Sequence, residues 1–143
     1  MPKNILNRTN AGNSGPMKIA YLIFAYKNPK LMARIIESLS CEDASFFIHI
    51  DRKSDFKQFS SIKGPNVFFT QKRLPVYWGE FSGNEAILIL IREALAHPKI
   101  HDYFVLLSGS EYPLQTKEYI HQFFEVKRFH AAAAEVTGGK KRF

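Results

Sequence analysis

The sequence predicts an α/β fold in which a mostly parallel sheet lies between two layers of helices. Three apolar runs, each bounded by turn residues, are typical of strands that are buried on both faces: Ile19–Ala25, Phe46–Ile50 and Tyr103–Leu107. Segments with helical periodicity separate these runs, and such alternation favours parallel strands joined by right-handed crossovers. With 143 residues the chain is long enough for one domain with its own core.

The first helix is predicted between the first two strands. Asn28 can accept hydrogen bonds from the first free amides, and Pro29 suits the first helical position. An apolar face then follows at helical spacing, made of Leu31, Met32, Ile35, Ile36 and Leu39. The resulting β-α-β unit implies that the two strands are parallel.

The second half of the chain repeats this alternation. A short strand is predicted at Asn66–Thr70. Ser82 and Glu85 form a capping-box pattern before the helix Ala86–Leu95, which is expected to be buried over most of its surface. Thr116 is predicted to cap a last helix. One face of that helix is expected to carry Ile120, Phe123 and Phe124.

The two ends of the chain differ from its middle. Residues 1–16 are rich in Asn, Gly, Ser and Pro and are predicted to be a flexible leader. Residues 17–126 are predicted to form the folded domain. Residues 127–143 show neither strand alternation nor an amphipathic stripe, and we expect an irregular basic tail. Because no further strand is predicted, the domain is expected to be truncated.

Composition and charge exclude several classes of protein. The net charge is +7, but residues 17–126 hold 13 Lys and Arg against 12 Asp and Glu, so a nucleic-acid partner is not expected. Cys41 is the one cysteine, which excludes an intrachain disulfide framework. No apolar run approaches the ~20 residues that span a bilayer, and no signal-peptide core is present. The expected location is therefore the cytoplasm or the inner face of the membrane.

Polar residues follow the strands directly, at the edge where open α/β sheets bind ligands. After the last strand, Ser108–Pro113 holds the carboxylate Glu111. The alternative is an ordinary strand-to-helix loop, in which Gly109 adopts a positive φ and Pro113 opens the next element. Asp51 follows the second strand, where a carboxylate either holds a nucleotide's ribose or caps the next turn. His49 lies within that strand and is interpreted as structural.

Four segments, taken in order, carry a resemblance to a known family: Ile19–Pro29 (IAYLIFAYKNP), Phe47–Asp55 (FIHIDRKSD), Tyr77–Ser82 (YWGEFS) and Leu106–Pro113 (LLSGSEYP). Together they resemble the N-terminal half of the core-2/I-branching β-1,6-N-acetylglucosaminyltransferase family, which includes the peptide O-xylosyltransferases. The similarity covers residues 17–126. Glu111 departs from the family pattern, which carries Asp at that position.

The resemblance implies a GT-A-like, Rossmann-type fold. It also implies an inverting, metal-independent transfer of N-acetylglucosamine or xylose from a UDP-sugar to an acceptor hydroxyl. The chain has no Asp-x-Asp triplet of the kind that binds metal in other GT-A enzymes, so neither a metal nor another cofactor is expected. The family's catalytic base lies in a C-terminal half beyond the region of similarity. Catalytic residues are therefore not assigned, with Glu111 as a candidate.

By the same resemblance, residues 17–126 form the nucleotide-sugar side of the cleft. The residues expected to bind substrate are Ala25, Tyr26, Lys27, Asp51, Arg52, Lys53, Trp78, Gly79, Ser108, Gly109 and Glu111. Two of them have alternative interpretations: Trp78 as a core anchor and Glu111 as a carboxylate at a helix entry. Lys72 and Arg73 are interpreted as solvated surface residues.

The expected partners are a UDP-sugar and a glycan or other hydroxyl acceptor, with no nucleic acid. Peripheral association with a membrane is also considered, since anchored relatives in the family are membrane-bound. The alternative function is an inactive remnant or a UDP-sugar-binding module. An unrelated flavodoxin-like or nucleic-acid-binding domain is disfavoured, because the loop Phe24–Pro29 has no glycine to cradle a phosphate.

Overall fold

The computed structural model describes residues 15–138, and residues 129–138 by their backbone alone. The elements in chain order are β1 Ile19–Ala25, α1 Pro29–Leu39, β2 Ala44–Ile50, a 3-10 helix Phe56–Phe59, β3 Val67–Phe69, α2 Ser82–Ala96, β4 Tyr103–Ser108 and α3 Lys117–Gly138. The strands form one sheet in the order β3-β2-β1-β4, and every pairing is parallel. The predicted α/β fold with a layered, parallel sheet is confirmed.

The sheet separates two apolar cores. On one face, α1, α3 and the 3-10 helix cover the alternate residues of β1 that begin with Ile19. On the other face, α2 covers Ala20 and Leu22 through Leu90 and Ala94. Strand β1 is therefore buried on both sides, which explains its uninterrupted apolar sequence.

Two helix starts agree with the sequence analysis. Asn28 has a left-handed backbone with φ 59°, and its Oδ1 accepts from the Leu31 amide at 3.3 Å, with Pro29 as the first helical residue. Thr116 Oγ1 accepts from the Tyr119 amide at 3.2 Å at the start of α3. Both caps satisfy amides that the helix itself leaves without partners.

The prediction for the start and the burial of α2 was wrong. The capping position is Phe81, without a side-chain hydrogen bond, because Ser82 Oγ instead accepts from the Tyr77 amide at 2.9 Å. Only Ala86, Leu90 and Ala94 of this helix are buried. Leu88 and Leu95 stay 42% and 47% exposed. The helix covers the sheet with one face, and nothing within residues 15–128 covers the other.

Helix α3 extends further than the sequence predicted. It runs to Gly138, so residues 127–138 are helical where an irregular tail was expected. Residues Ala131–Ala134 are alanines, the residue type with the highest intrinsic helix propensity. A helix can therefore form here without an amphipathic stripe. Ile120 and Phe124 pack against the core as expected, whereas Phe123 is 47% exposed.

Residues 1–14 of the predicted leader and residues 139–143 of the predicted tail lie outside the described residues. The predicted domain boundaries therefore stay predictions. Met17, at the start of the predicted domain, is buried against the first core. No helix in the described part of the chain is both long and apolar enough to cross a membrane.

Candidate functional site

The carboxyl ends of β1, β2 and β4 meet at one edge of the sheet. The chain leaves β1 towards β2 and β3 on one side, and later returns to place β4 on the other side. The connection through α1 lies on one face of the sheet and α2 lies on the other. The gap between β1 and β4 is therefore the topological switch point, where sheets of this kind bind ligands.

At this point Gly109 lets the ends of β1 and β4 approach each other closely. Its amide donates to the Phe24 carbonyl at 2.8 Å. A Cβ atom on Gly109 would lie 2.5 Å from Ala25 Cβ, closer than real side chains approach. The residue must be glycine because of this close approach. The predicted positive φ was wrong, since Gly79, with φ 80°, is the one described glycine in that region.

We expect Gly109→Ala to lower the free energy of unfolding by about 1 to 3 kcal/mol, because the backbones of β1 and β4 must separate. Urea denaturation measures the change. Gly83→Ala is the matched control, since its Cβ would meet Val76 Cγ1 at an ordinary 3.8 Å. Within helix α2 that control is expected to stabilise by up to about 1 kcal/mol. Equal stabilities of the Gly109→Ala variant and the wild type would contradict the close approach.

Asp51 is buried at the end of β2 and holds two loops. Its amide donates to the Ala25 carbonyl at 2.9 Å, which ties β2 to β1. Its Oδ1 accepts from the amides of Lys53 at 2.9 Å and Val76 at 3.4 Å. The turn-capping interpretation is therefore confirmed for this oxygen. The second oxygen, Oδ2, lies 3.8 Å from Lys53 Nζ, beyond hydrogen-bond length.

The basic residues near Asp51 have different surroundings. Lys53 Nζ donates to the Val76 carbonyl and lies 4.3 Å from the ring centroid of Tyr77. Lys27 and Arg52 are exposed, and Lys27 Nζ lies 5.1 Å from the ring centroid of Tyr26. Lys53 therefore supports the segment around Val76, while Lys27 and Arg52 face solvent at the edge of the site.

Arg73 is the structural residue that the sequence analysis missed. Its Nε donates to the Ile50 carbonyl at 3.0 Å, and its Nη2 donates to the carbonyls of Asp51 at 2.9 Å and Ser54 at 2.8 Å. The guanidinium also lies 5.1 Å from the ring centroid of Phe56. The interpretation of Arg73 as a solvated surface residue was wrong, whereas Lys72 is exposed as expected.

His49 also links β2 to the segment that contains Arg73 and Leu74. It is fully buried and stacks on Phe24, with ring centroids 5.7 Å apart. Its Nε2 accepts from the Leu74 amide at 3.1 Å, so the neutral ring carries its proton on Nδ1. Burial is the main cause that lowers the pKa of His49 below its usual value. Its interpretation as a structural histidine is confirmed.

Trp78 lies on the surface beyond this segment. It is fully exposed, so its interpretation as a core anchor was wrong. Gly79 follows with its positive φ, and the turn is held by the bond between Tyr77 and Ser82. The loops after β1 and β4 and the segment before α2 also expose aromatic rings, namely Tyr26, Tyr112, Tyr77 and Phe81. Exposed rings of this kind offer faces on which a base or a sugar can stack.

Glu111 forms a closed turn at the end of β4. Its Oε2 accepts from the Ser108 amide at 2.6 Å, and its own amide donates to the Ser108 carbonyl at 3.3 Å. Ser108 Oγ accepts from the Ser110 amide at 3.3 Å. Helix α3 begins only at Lys117, so the interpretation of Glu111 as a carboxylate at a helix entry was wrong.

The structure brings part of the predicted set into direct contact. Asp51 and Gly109 bond to β1 from opposite sides, and Ser54 Oγ donates to the Tyr26 carbonyl at 2.6 Å. Lys53 lies beside Asp51 in this group, whereas Trp78 and Glu111 make no contact with it among the described bonds. Among the side chains of residues 15–128, no three His, Cys, Asp or Glu groups lie together as metal ligands would.

Comparison with known proteins identifies the family. The family model described as "Core-2/I-Branching enzyme" matches residues 19–140. The chain is 28% identical to human xylosyltransferase 2 over 119 residues and 25% identical to the xylosyltransferase of Ciona intestinalis over 118 residues, in each case over 79% of this chain. It is 23% identical over 125 residues, or 82% of this chain, to human "Probable beta-1,3-galactosyl-O-glycosyl-glycoprotein beta-1,6-N-acetylglucosaminyltransferase 7".

These relatives are much longer than the matched region. The chain spans 14% of the length of each of the two xylosyltransferases and 29% of the acetylglucosaminyltransferase. The family match nevertheless covers both cores except Met17, all four described strands and all of the predicted site residues. The chain belongs to the Core-2/I-branching enzyme family.

Proposed function

We propose that this chain supplies the nucleotide-sugar-binding part of a glycosyltransferase that moves a sugar from a UDP-sugar to an acceptor hydroxyl. The observation that carries the proposal is the meeting of Asp51 and Gly109 on either side of Ala25, at the switch point of a parallel sheet. The names of the relatives, xylosyltransferases and an N-acetylglucosaminyltransferase, support xylose or N-acetylglucosamine as the sugar.

Each group at the site has a role in this proposal. Asp51 Oδ2 accepts a hydrogen bond from the ribose or the uracil, since Oδ1 is already used by two amides. Tyr26 and Trp78 provide stacking faces. Lys27 and Arg52 lie exposed beside the strand ends and attract the diphosphate. Positive side chains then do what a metal ion does in other transferases, and the transfer is metal-independent.

The proton of the acceptor hydroxyl needs a base. Glu111 is poorly suited, because its Oε2 accepts a short hydrogen bond from the Ser108 amide, which favours a structural carboxylate. In our proposal the base of an inverting transfer is therefore a group other than Glu111. The same observation favours a second candidate function, a UDP-sugar-binding module that does not turn over its ligand.

The test is the melting temperature of the protein with UDP, first in EDTA and then in Mg²⁺. At a UDP concentration about 100 times its dissociation constant, we expect a stabilisation of about 2.7 kcal/mol in both buffers. A shift that required Mg²⁺ would contradict metal independence. A cooperative melt without any shift would contradict donor binding. Release of UDP from a UDP-sugar distinguishes the transferase from the binding module.

Asp51→Asn is the variant that isolates the carboxylate. Asparagine keeps an oxygen for the Lys53 and Val76 amides but removes the charge, so we expect UDP to bind at least about tenfold more weakly. Asp55→Asn is the matched control, because Asp55 Oδ1 caps the 3-10 helix by accepting from Lys57 at 3.0 Å. Calorimetric titration that gave both variants the same affinity would count against Asp51 as a ligand-binding group.

A further inference from the structure

His49 is a buried polar side chain whose hydrogen bonding is only half complete. It is fully buried in β2, between Ile48 and Ile50. Its Nε2 accepts from the Leu74 amide, while its Nδ1 has no hydrogen-bond partner among the described residues. A buried polar group without a partner is costly, and an apolar ring of similar shape would avoid that cost. The bond to Leu74 is therefore what distinguishes histidine from an apolar residue at this position.

That bond fixes one end of a three-residue segment, 74–76, whose other end reaches Asp51. The Leu74 carbonyl is bonded as well, at 3.0 Å, to a backbone amide just past the end of β2. Two residues later, the Val76 amide donates to Asp51 Oδ1 at 3.4 Å. His49 thus holds the segment close to the point where it meets the carboxylate.

The direction of the Asp51 carboxylate depends on this segment. Oδ1 accepts from two amides that belong to different loops, Lys53 at 2.9 Å and Val76 at 3.4 Å. The Val76 bond is the longer of the two and lies near the limit of a hydrogen bond, so a small shift of segment 74–76 breaks it. With one amide left, the carboxylate can turn. Oδ2 then loses the fixed direction in which it meets a ligand.

His49 also contacts the strand on the other side of Asp51. Its ring stacks on Phe24 of β1, with centroids 5.7 Å apart, and the Phe24 carbonyl accepts from the Gly109 amide at 2.8 Å. The imidazole is therefore enclosed between β1 and segment 74–76, next to the strand ends that form the candidate site. Because the ring is fully buried by the described residues, these contacts do not depend on what covers the surface.

We propose that His49 is a positioning residue of the nucleotide-sugar site, and that its accepting nitrogen sets the direction of the Asp51 carboxylate through segment 74–76. His49 does not touch the ligand and acts through Asp51 alone. This inference rests on the proposed function, in which Asp51 Oδ2 binds the ribose or the uracil. A histidine with only a structural role would contribute to stability and leave the affinity for UDP unchanged.

The first test needs no ligand and follows backbone amide hydrogen exchange by NMR. His49→Phe keeps a ring that can stack on Phe24 but removes the acceptor. We expect the amides of Leu74 and Val76 to exchange at least about tenfold faster in this variant, relative to the amides of β1. His49→Gln presents an oxygen near the position of Nε2 and is expected to restore slow exchange. Equal protection of Leu74 in the wild type and in His49→Phe would overturn the proposal.

The second test measures UDP affinity by calorimetric titration, in a cycle that combines His49→Phe with Asp51→Asn. We expect His49→Phe alone to weaken binding at least about fivefold, and His49→Gln to stay within about twofold of the wild type. In the Asp51→Asn background, His49→Phe should change the affinity by less than about twofold, because the oxygen that it positions for the ligand is already replaced.

His101→Phe is the matched control for this cycle. It replaces another buried histidine, which bonds to Ser45 near the start of β2, and should lower stability without changing UDP affinity. A wild type without UDP affinity would overturn both the proposed function and this inference. If the wild type binds UDP, equal losses from His49→Phe in the two Asp51 backgrounds would overturn this inference alone. Unchanged affinity in His49→Phe would do the same.

Discussion

Arg73→Ala is expected to lower the free energy of unfolding by about 3 kcal/mol. The guanidinium donates to three main-chain carbonyls around the end of β2, and its loss leaves those acceptors without their partner. The same change releases the segment that positions Val76 against Asp51. We therefore expect weaker UDP binding in the variant as well. Urea denaturation followed by circular dichroism measures the first effect, and calorimetric titration measures the second.

Two further variants separate the geometry of Arg73 from its charge. Arg73→Lys keeps the charge but lacks the planar fork that reaches three carbonyls, so it should recover less than half of the lost stability. Lys72→Ala removes a neighbouring exposed cation and should change stability by less than about 0.5 kcal/mol. If Arg73→Ala were as stable as Lys72→Ala, the role of Arg73 in holding the loop would be disproved.

The second large effect is a loss of stability in acid, caused by buried histidines. Burial is the main cause that lowers the pKa of His101 to about 4, and it also lowers the pKa of His49. Between the unfolded value of 6.5 and about 4, the unfolded chain binds protons that the folded chain does not. Stability is therefore full above the unfolded pKa and falls as the pH drops through this range. The lowered pKa of His101 alone accounts for about 3 kcal/mol of this loss in the free energy of unfolding.

His101→Gln tests this origin of acid sensitivity. His101 Nε2 lies 2.9 Å from Ser45 Oγ in a pocket that also contains the rings of Phe47 and Phe104. Glutamine can keep a bond to the serine but does not titrate in this range. Denaturation midpoints measured from pH 7.5 down to pH 4 should fall less steeply in the variant than in the wild type. Identical pH dependence would rule out His101 as the cause.

Local signals in the sequence predicted much of the fold. The bounds of β1 follow from a short run of residues that are apolar on both faces, and this pattern is typical of a strand between two layers. The start of α1 follows from Asn28 and Pro29, which act within one turn of themselves. The turn at Asp51 was likewise among the expected alternatives, because its carboxylate accepts from an amide two residues later.

The missed features depend on residues that are distant in sequence. Arg73 bonds to carbonyls 19 to 23 residues earlier in the chain, and nothing in the local pattern marks it. The partial exposure of α2 depends on how many strands lie beneath it. The length of α3 was missed because amphipathicity was used to recognise helices, whereas its alanine run is helical by propensity alone. The roles of the site residues in binding UDP stay predictions.

The exposure of Trp78 has a consequence for spectroscopy. It is the one tryptophan of the chain, and its indole is already in water in the folded state. Emission from this residue therefore reports the surface of the candidate cleft and hardly changes when the core melts. A ligand that stacks on the ring would alter the emission at constant fold. Intrinsic fluorescence would then follow occupancy of the site, and circular dichroism would follow unfolding, as two separate signals from the unmodified protein.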